Sequence, residues 1–99
     1  MAFSNTPTKI IDMGNGIIRE IGIFDGDSVT TGTITAATAT ELAALNLPSD
    51  RVITEIIGWG FASDGDTAIL PAKDVGLNEV KATFTNSDTG DYWIEGFGK

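Results

Sequence analysis

The chain has 99 residues, neither cysteine nor histidine, and a formal net charge of −8. Without cysteine there is no disulfide framework and no thiolate metal site; without histidine neither a Ser-His nor a Cys-His nucleophile can be assembled. The six cations, Lys9, Arg19, Arg51, Lys73, Lys81 and Lys99, are scattered along the chain, whereas a phosphate backbone is bound by clustered positive charge, so no nucleic-acid partner is expected.

A chain of this length makes one domain with a single core, which buries roughly 60–70% of the surface exposed by the unfolded chain. The apolar fraction of 41% leaves little to spare, so burial against another subunit would help. No apolar run approaches the length of a membrane span. The first residues, "MAFSNTPTK", lack the basic and then apolar pattern of a secretory leader, and the expectation is a soluble chain that begins its life in the cytoplasm.

Residues 1–8 have Phe3 as their one aromatic residue and contain Pro7, which favours an extended arm; residues 9–99 form the β-domain. The arm reads either as a frayed terminus or as a segment whose Phe3 docks on a neighbouring subunit. "KIIDM", then Gly14-Asn15-Gly16, then "IIREIGIF" predicts a hairpin, because this turn supplies the positive φ angles of a short loop. In the second strand Ile17, Arg19, Ile21 and Ile23 share one face, and Ile18, Glu20, Gly22 and Phe24 the other. Neither face is cleanly polar, as in a strand covered on both sides.

After the acidic turn Asp25-Gly26-Asp27-Ser28 comes "VTTGTITA", a threonine-rich strand in which Gly32 marks a bulge or a close approach. "ATATELAALNLP" is the helical segment: Thr38 and Glu41 fit a capping box, Asn46 can end the helix and Pro48 prevents its continuation. In "DRVITEIIGWGFAS", the strongest strand, strict alternation places Ile53, Ile57, Trp59 and Phe61 on one face and Val52 and Ile56 on the other. Its Gly58 and Gly60 point to close packing of a backbone near Trp59. "TAILP" is a short edge strand limited by Pro71, and "AKDVGLN" a loop. "EVKATFT" turns Val80, Ala82 and Phe84 inward, Asn86–Gly90 is a turn, and "DYWIEGFG" is the last strand. The predicted fold is all-β: a small antiparallel β-sandwich or β-barrel of about seven strands with one short helix.

The acidic turns Asp25-Gly26-Asp27 and Asp64-Gly65-Asp66 do not make an EF-hand. Counting from Asp64, position six is Ile69 and position twelve is Val75, where glycine and glutamate are required. Aspartate and glycine are what tight turns demand, so no metal is expected, although two turns converging on one cation is the rival reading. A catalytic carboxylate pair would need a cleft that so short a chain rarely offers, and no enzymatic activity or cofactor is expected. The aromatic residues are the better candidates for contact: Phe3, Trp59, Phe61, Trp93 and Phe97 form the candidate interface, with Trp59 favouring the core.

Three stretches, "MGNGIIREIGIFDGDSVTTGTI", "RVITEIIGWGF" and "NEVKATFTNSDTGDYWIEGFGK", resemble small structural proteins of tailed-bacteriophage virions. The resemblance lies in the opening strand–turn–strand, the glycine-threonine strand and the Gly90-Asp91-Tyr92-Trp93 … Gly96-Phe97-Gly98 ending; the Ala39–Pro48 insert falls outside it. It implies a capsid decoration (cement) protein on the outer surface of the head, made in the bacterial cytoplasm. Its partners would be the major capsid protein or another virion protein, and its own copies in a dimer or trimer. A tail, fibre or baseplate component and a carbohydrate-binding or adhesin module are the alternatives.

Overall fold

The computed structural model describes residues 3–65, 68–84 and 88–98. Seven strands and one helix follow in the order β1 (Ser4–Gly14), β2 (Ile17–Asp25), β3 (Thr31–Thr35), α1 (Ala39–Ala44), β4 (Ile53–Ser63), β5 (Leu70–Lys73), β6 (Glu79–Thr83) and β7 (Thr89–Gly98). They form two antiparallel sheets, one of order β1-β2-β7-β4 and one of order β3-β6-β5. This is the all-β architecture expected, with the chain passing from one sheet to the other after β2, β3, β4 and β6.

The β1–β2 hairpin turns at Gly14, Asn15 and Gly16, all with positive φ, and this is the conformation glycine and asparagine adopt at least cost. β1 starts earlier than expected. Residues 4–8 are extended, but instead of standing apart as an arm they pair with β2, Ser4 opposite Asp25 and Pro7 opposite Gly22. Pro7 is tolerated because β1 is an edge strand, and a bulge at Thr8 follows it.

Helix α1 closes as its sequence predicts. The Thr38 side chain accepts from Glu41 N–H while the Glu41 carboxylate accepts from Thr38 N–H. At the other end Asn46 takes a φ of 60°, and Leu47 and Asn46 donate back to the carbonyls of Leu42 and Ala43, a Schellman closure. Leu42 anchors the helix, fully buried.

The core lies between the sheets. Ile18 and Phe24 from β2, Ile34 from β3, Ile53 and Ile56 from β4, Val80 from β6, and Tyr92 and Ile94 from β7 pack into one buried cluster. The alternation read in β6 holds, with Val80, Ala82 and the following Phe84 buried and Lys81 and Thr83 exposed.

β4 departs from strict alternation. Bulges between Ile53 and Glu55 and between Ile56 and Gly58 each insert one residue, so Ile53, Ile56, Trp59 and Phe61 all face inward and Ile57 turns out to solvent. The bulged segment is held from the second sheet: Ile56 N–H donates to the Leu77 carbonyl, and Lys73 Nζ donates to the carbonyls of Ile56 and Leu77. β5 extends to Lys73, so part of the stretch read as a loop is strand.

Candidate interaction surface

Register decides which side chains meet on the outer face of the four-stranded sheet. Across β2 and β7, Ile17 lies opposite Phe97, Arg19 opposite Glu95, and Ile21 opposite Trp93. Ile11 of β1 extends the face beside Arg19, and Ile57 and Ala62 extend it along β4. Ile23, Ile57 and Phe97 are each about half exposed, at 51%, 50% and 47%. An antiparallel sheet with one solvated face carries polar residues there; this one carries isoleucines and aromatics on both faces.

Trp93 is the centre of the patch. Its indole lies against the backbone of Gly60, where an added Cβ would come within 2.0 Å of Nε1. The Arg19 guanidinium lies over the ring, 4.5 Å from its centroid. Glu95 then fixes Arg19, accepting from Nε at 2.9 Å and lying 2.8 Å from the second guanidinium nitrogen. The glycines of "GWGF" thus serve Trp93, across the sheet from Trp59. Beside this stack a shallow depression of about 230 Å³ is lined by Arg19, Ile21, Gly60, Ala62, Asp91 and Trp93 among others.

The five candidate contact residues divide between the faces. Phe3 packs inward, with ring centroids 6.0 Å from Phe24 and 5.7 Å from Phe84. Trp59 and Phe61 also point inward and lie partly buried against the core, Phe61 meeting Phe24 edge-on. Trp93 and Phe97 are on the outer face. Composition favoured aromatic contact residues, but only the register separates these two from the other three.

The acidic turns meet at one end of the sandwich. Gly26 N–H donates to the Asp88 carbonyl, Asp64 N–H to the Thr89 carbonyl, and Thr89 Oγ1 to the Asp64 carboxylate. Asp25 accepts from Asp27 N–H inside its own turn. Among the described residues no group of three or more carboxylates is placed to hold a metal ion. Asp66 and part of the Asn86–Gly90 turn lie outside the described residues.

One polar group was not anticipated from the sequence. Glu20, read as one member of a mixed face, is 2% exposed between the sheets. Its carboxylate accepts from the Tyr92 hydroxyl at 2.6 Å and from Ala37 N–H at 3.0 Å, and Asn5 Nδ2 donates to the tyrosine oxygen at 3.2 Å. Burial pushes the Glu20 pKa above its ordinary value despite the two donors, and the Tyr92 hydroxyl is pushed far up by burial and by the facing carboxylate. A groove of about 360 Å³ between β1 and β3, lined by Phe3, Asn5, Thr35 and Glu41 among others, opens on the same side.

No family model, no curated protein and no solved structure matches the chain.

Proposed function

We propose that the protein is a non-enzymatic structural component of a tailed-phage virion, of the capsid decoration type, acting by surface contact. The observation that carries this reading is the outer face of the four-stranded sheet, where Ile17, Ile21, Ile23, Trp93 and Phe97 share the side turned away from the core, Ile23 and Phe97 about half exposed and the other three partly so. Apolar surface of this kind on a small soluble domain marks a protein interaction site. The resemblance of the sequence to small virion proteins supplies the assembly, and the negative charge suits a protein outside the shell, away from packaged DNA.

Two features favour protein contact over the alternatives. The Arg19 guanidinium already lies over the Trp93 ring, 4.5 Å from its centroid, so a sugar stacking there would have to displace it. The buried acid Glu20 has both oxygens occupied by donors and is closed to solvent, so it is not placed to exchange a proton with a substrate.

The test is location and stoichiometry in purified particles. Hundreds of copies on the head, in proportion to the capsid protein, are expected; a few copies at the tail would overturn the decoration role, and none in the particle would overturn the virion reading.

A further inference from the structure

We infer that the outer face of the four-stranded sheet receives a second copy of this chain, packed face to face about a two-fold axis that runs parallel to the strands. The inference rests on reading that face as a protein contact and commits to the occupant.

Size is the first argument. β2 has nine residues, and at about 3.4 Å per residue and about 4.8 Å between strands the four-stranded face spans roughly 30 by 20 Å. That plane, near 600 Å² before side-chain relief, is of the same order as the roughly 800 Å² per partner of a stable complex.

Charge is the second, and it selects both the occupant and the axis. On this face the cations sit on one half of the sheet, Lys9 on β1 and Arg19 on β2. The anions Asp91 and Glu95 on β7 and Glu55 on β4 sit on the other half. Asp25, the one acid on the cationic half, lies at the extreme end of β2. Rotation about an axis parallel to the strands lays each β1–β2 half over the partner's β7–β4 half. The Arg19 row then meets the Glu95 row, and the Ile21 row meets the Trp93 row. An axis across the strands would instead stack β2 on β2, with like charges opposed. The face is therefore complementary to itself in one orientation, as an isologous contact requires.

The aromatic anchors fit this role. Trp93 is already held in place by Gly60 and Arg19, so little side-chain freedom remains to be lost on docking.

The test uses the purified chain without particles, in analytical ultracentrifugation. The wild type is expected to sediment at twice the protomer mass of 10.4 kDa. Arg19→Glu and Glu95→Arg should each be monomeric, since each places like charges across the two-fold. An equimolar mixture of the two should recover a heterodimer, in which both crossed pairs are again opposite in sign. Ile23→Glu, at a half-exposed position, should abolish the dimer while its circular dichroism stays that of the wild type. A wild type that sediments at 10.4 kDa, or variants that stay monomeric when mixed, would overturn the docking. A monomeric wild type whose Ile23→Glu form no longer binds particles would assign the face to the capsid and overturn it too. A dimer that is absent from particles would leave the docking intact and overturn the virion role alone.

Discussion

The Tyr92 hydroxyl donates a 2.6 Å hydrogen bond to Glu20, and the two side chains come from neighbouring strands, β7 and β2, with both residues buried between the sheets. Tyr92 lies opposite Gly22, whose missing Cβ leaves room for the phenol ring to reach across to Glu20. The bond favours the ionised form of Glu20, and hydrogen bonds to a charged group contribute about 1.5–3 kcal/mol against about 0.5–1.5 for neutral pairs. Tyr92→Phe should therefore cost more at pH 8, where more of the acid is ionised, than at pH 4, where the acid is protonated and the lost bond joins two neutral groups. Urea unfolding at the two pH values measures the difference; an equal penalty at both would refute it.

The pH dependence of stability follows in sign from the same acid. Glu20 has a folded pKa raised above 4.5, so its contribution is fully present below that value and is lost as pH rises through the folded value. Asp12 and Asp74 have the opposite shift. A backbone N–H donor, from Gly14 and Val75 respectively, leads the causes that hold their carboxyls below 3.8, so their contribution is lost as pH falls through the lowered values. Self-repulsion of the net negative charge also grows with pH. The stability optimum should lie on the acid side of neutrality. Glu20→Gln should flatten the decline above pH 4.5, and thermal melts across pH 4 to 8 on both proteins check this. Parallel profiles would count against it.

Gly58 and Gly60 should respond oppositely to alanine. At Gly60 a Cβ would meet Trp93 at 2.0 Å, so the indole must leave its place under Arg19; overpacking of this kind costs about 1–3 kcal/mol. At Gly58 the nearest atoms are 3.7 Å away, an ordinary contact, and replacing a strand glycine by alanine is worth about 0.5–1 kcal/mol in favour of the fold. Denaturant midpoints and the tryptophan emission maximum report both. Equal effects would contradict the placement of Trp93.

Phe3→Ala should destabilise the protomer by about 2–4 kcal/mol, on the lower side of fully buried phenylalanines because the ring is only partly buried. Phe3 is stacked with Phe24 and Phe84 in its own chain, so this loss should not change with protein concentration. A concentration-dependent loss would mean that the ring is instead completing a neighbouring subunit.

The elements governed by local chemistry were legible in the sequence: the Gly-Asn-Gly hairpin, the capping box at Thr38, the αL closure at Asn46 and the alternation of β6. Each depends on a few adjacent residues. The face assignments of β4 were not, because bulges at Thr54 and Ile57 follow from pairing with β7 and with the β5–β6 loop, which leave no mark in β4 itself. Glu20 was unreadable for a related reason. A glutamate between isoleucines looks like a solvated position until its donors, 17 residues away at Ala37 and 72 away at Tyr92, are brought to it. In the candidate surface, residue types pointed to aromatic contact. Only inter-strand register could send Phe3, Trp59 and Phe61 inward and leave Trp93 and Phe97 outside.

The gathering of the acidic turns at one end of the sandwich makes the molecule electrically lopsided along its strands. Asp25, Asp27, Asp64 and Asp88 lie in those turns, and no lysine or arginine lies among the described residues there. The opposite end carries Arg51, which bonds both Asp12 and Asp50. In the field of a negatively charged surface such a body turns before it touches, bringing the Asn15 hairpin forward and holding the aspartates back. A positively charged surface would turn it end for end.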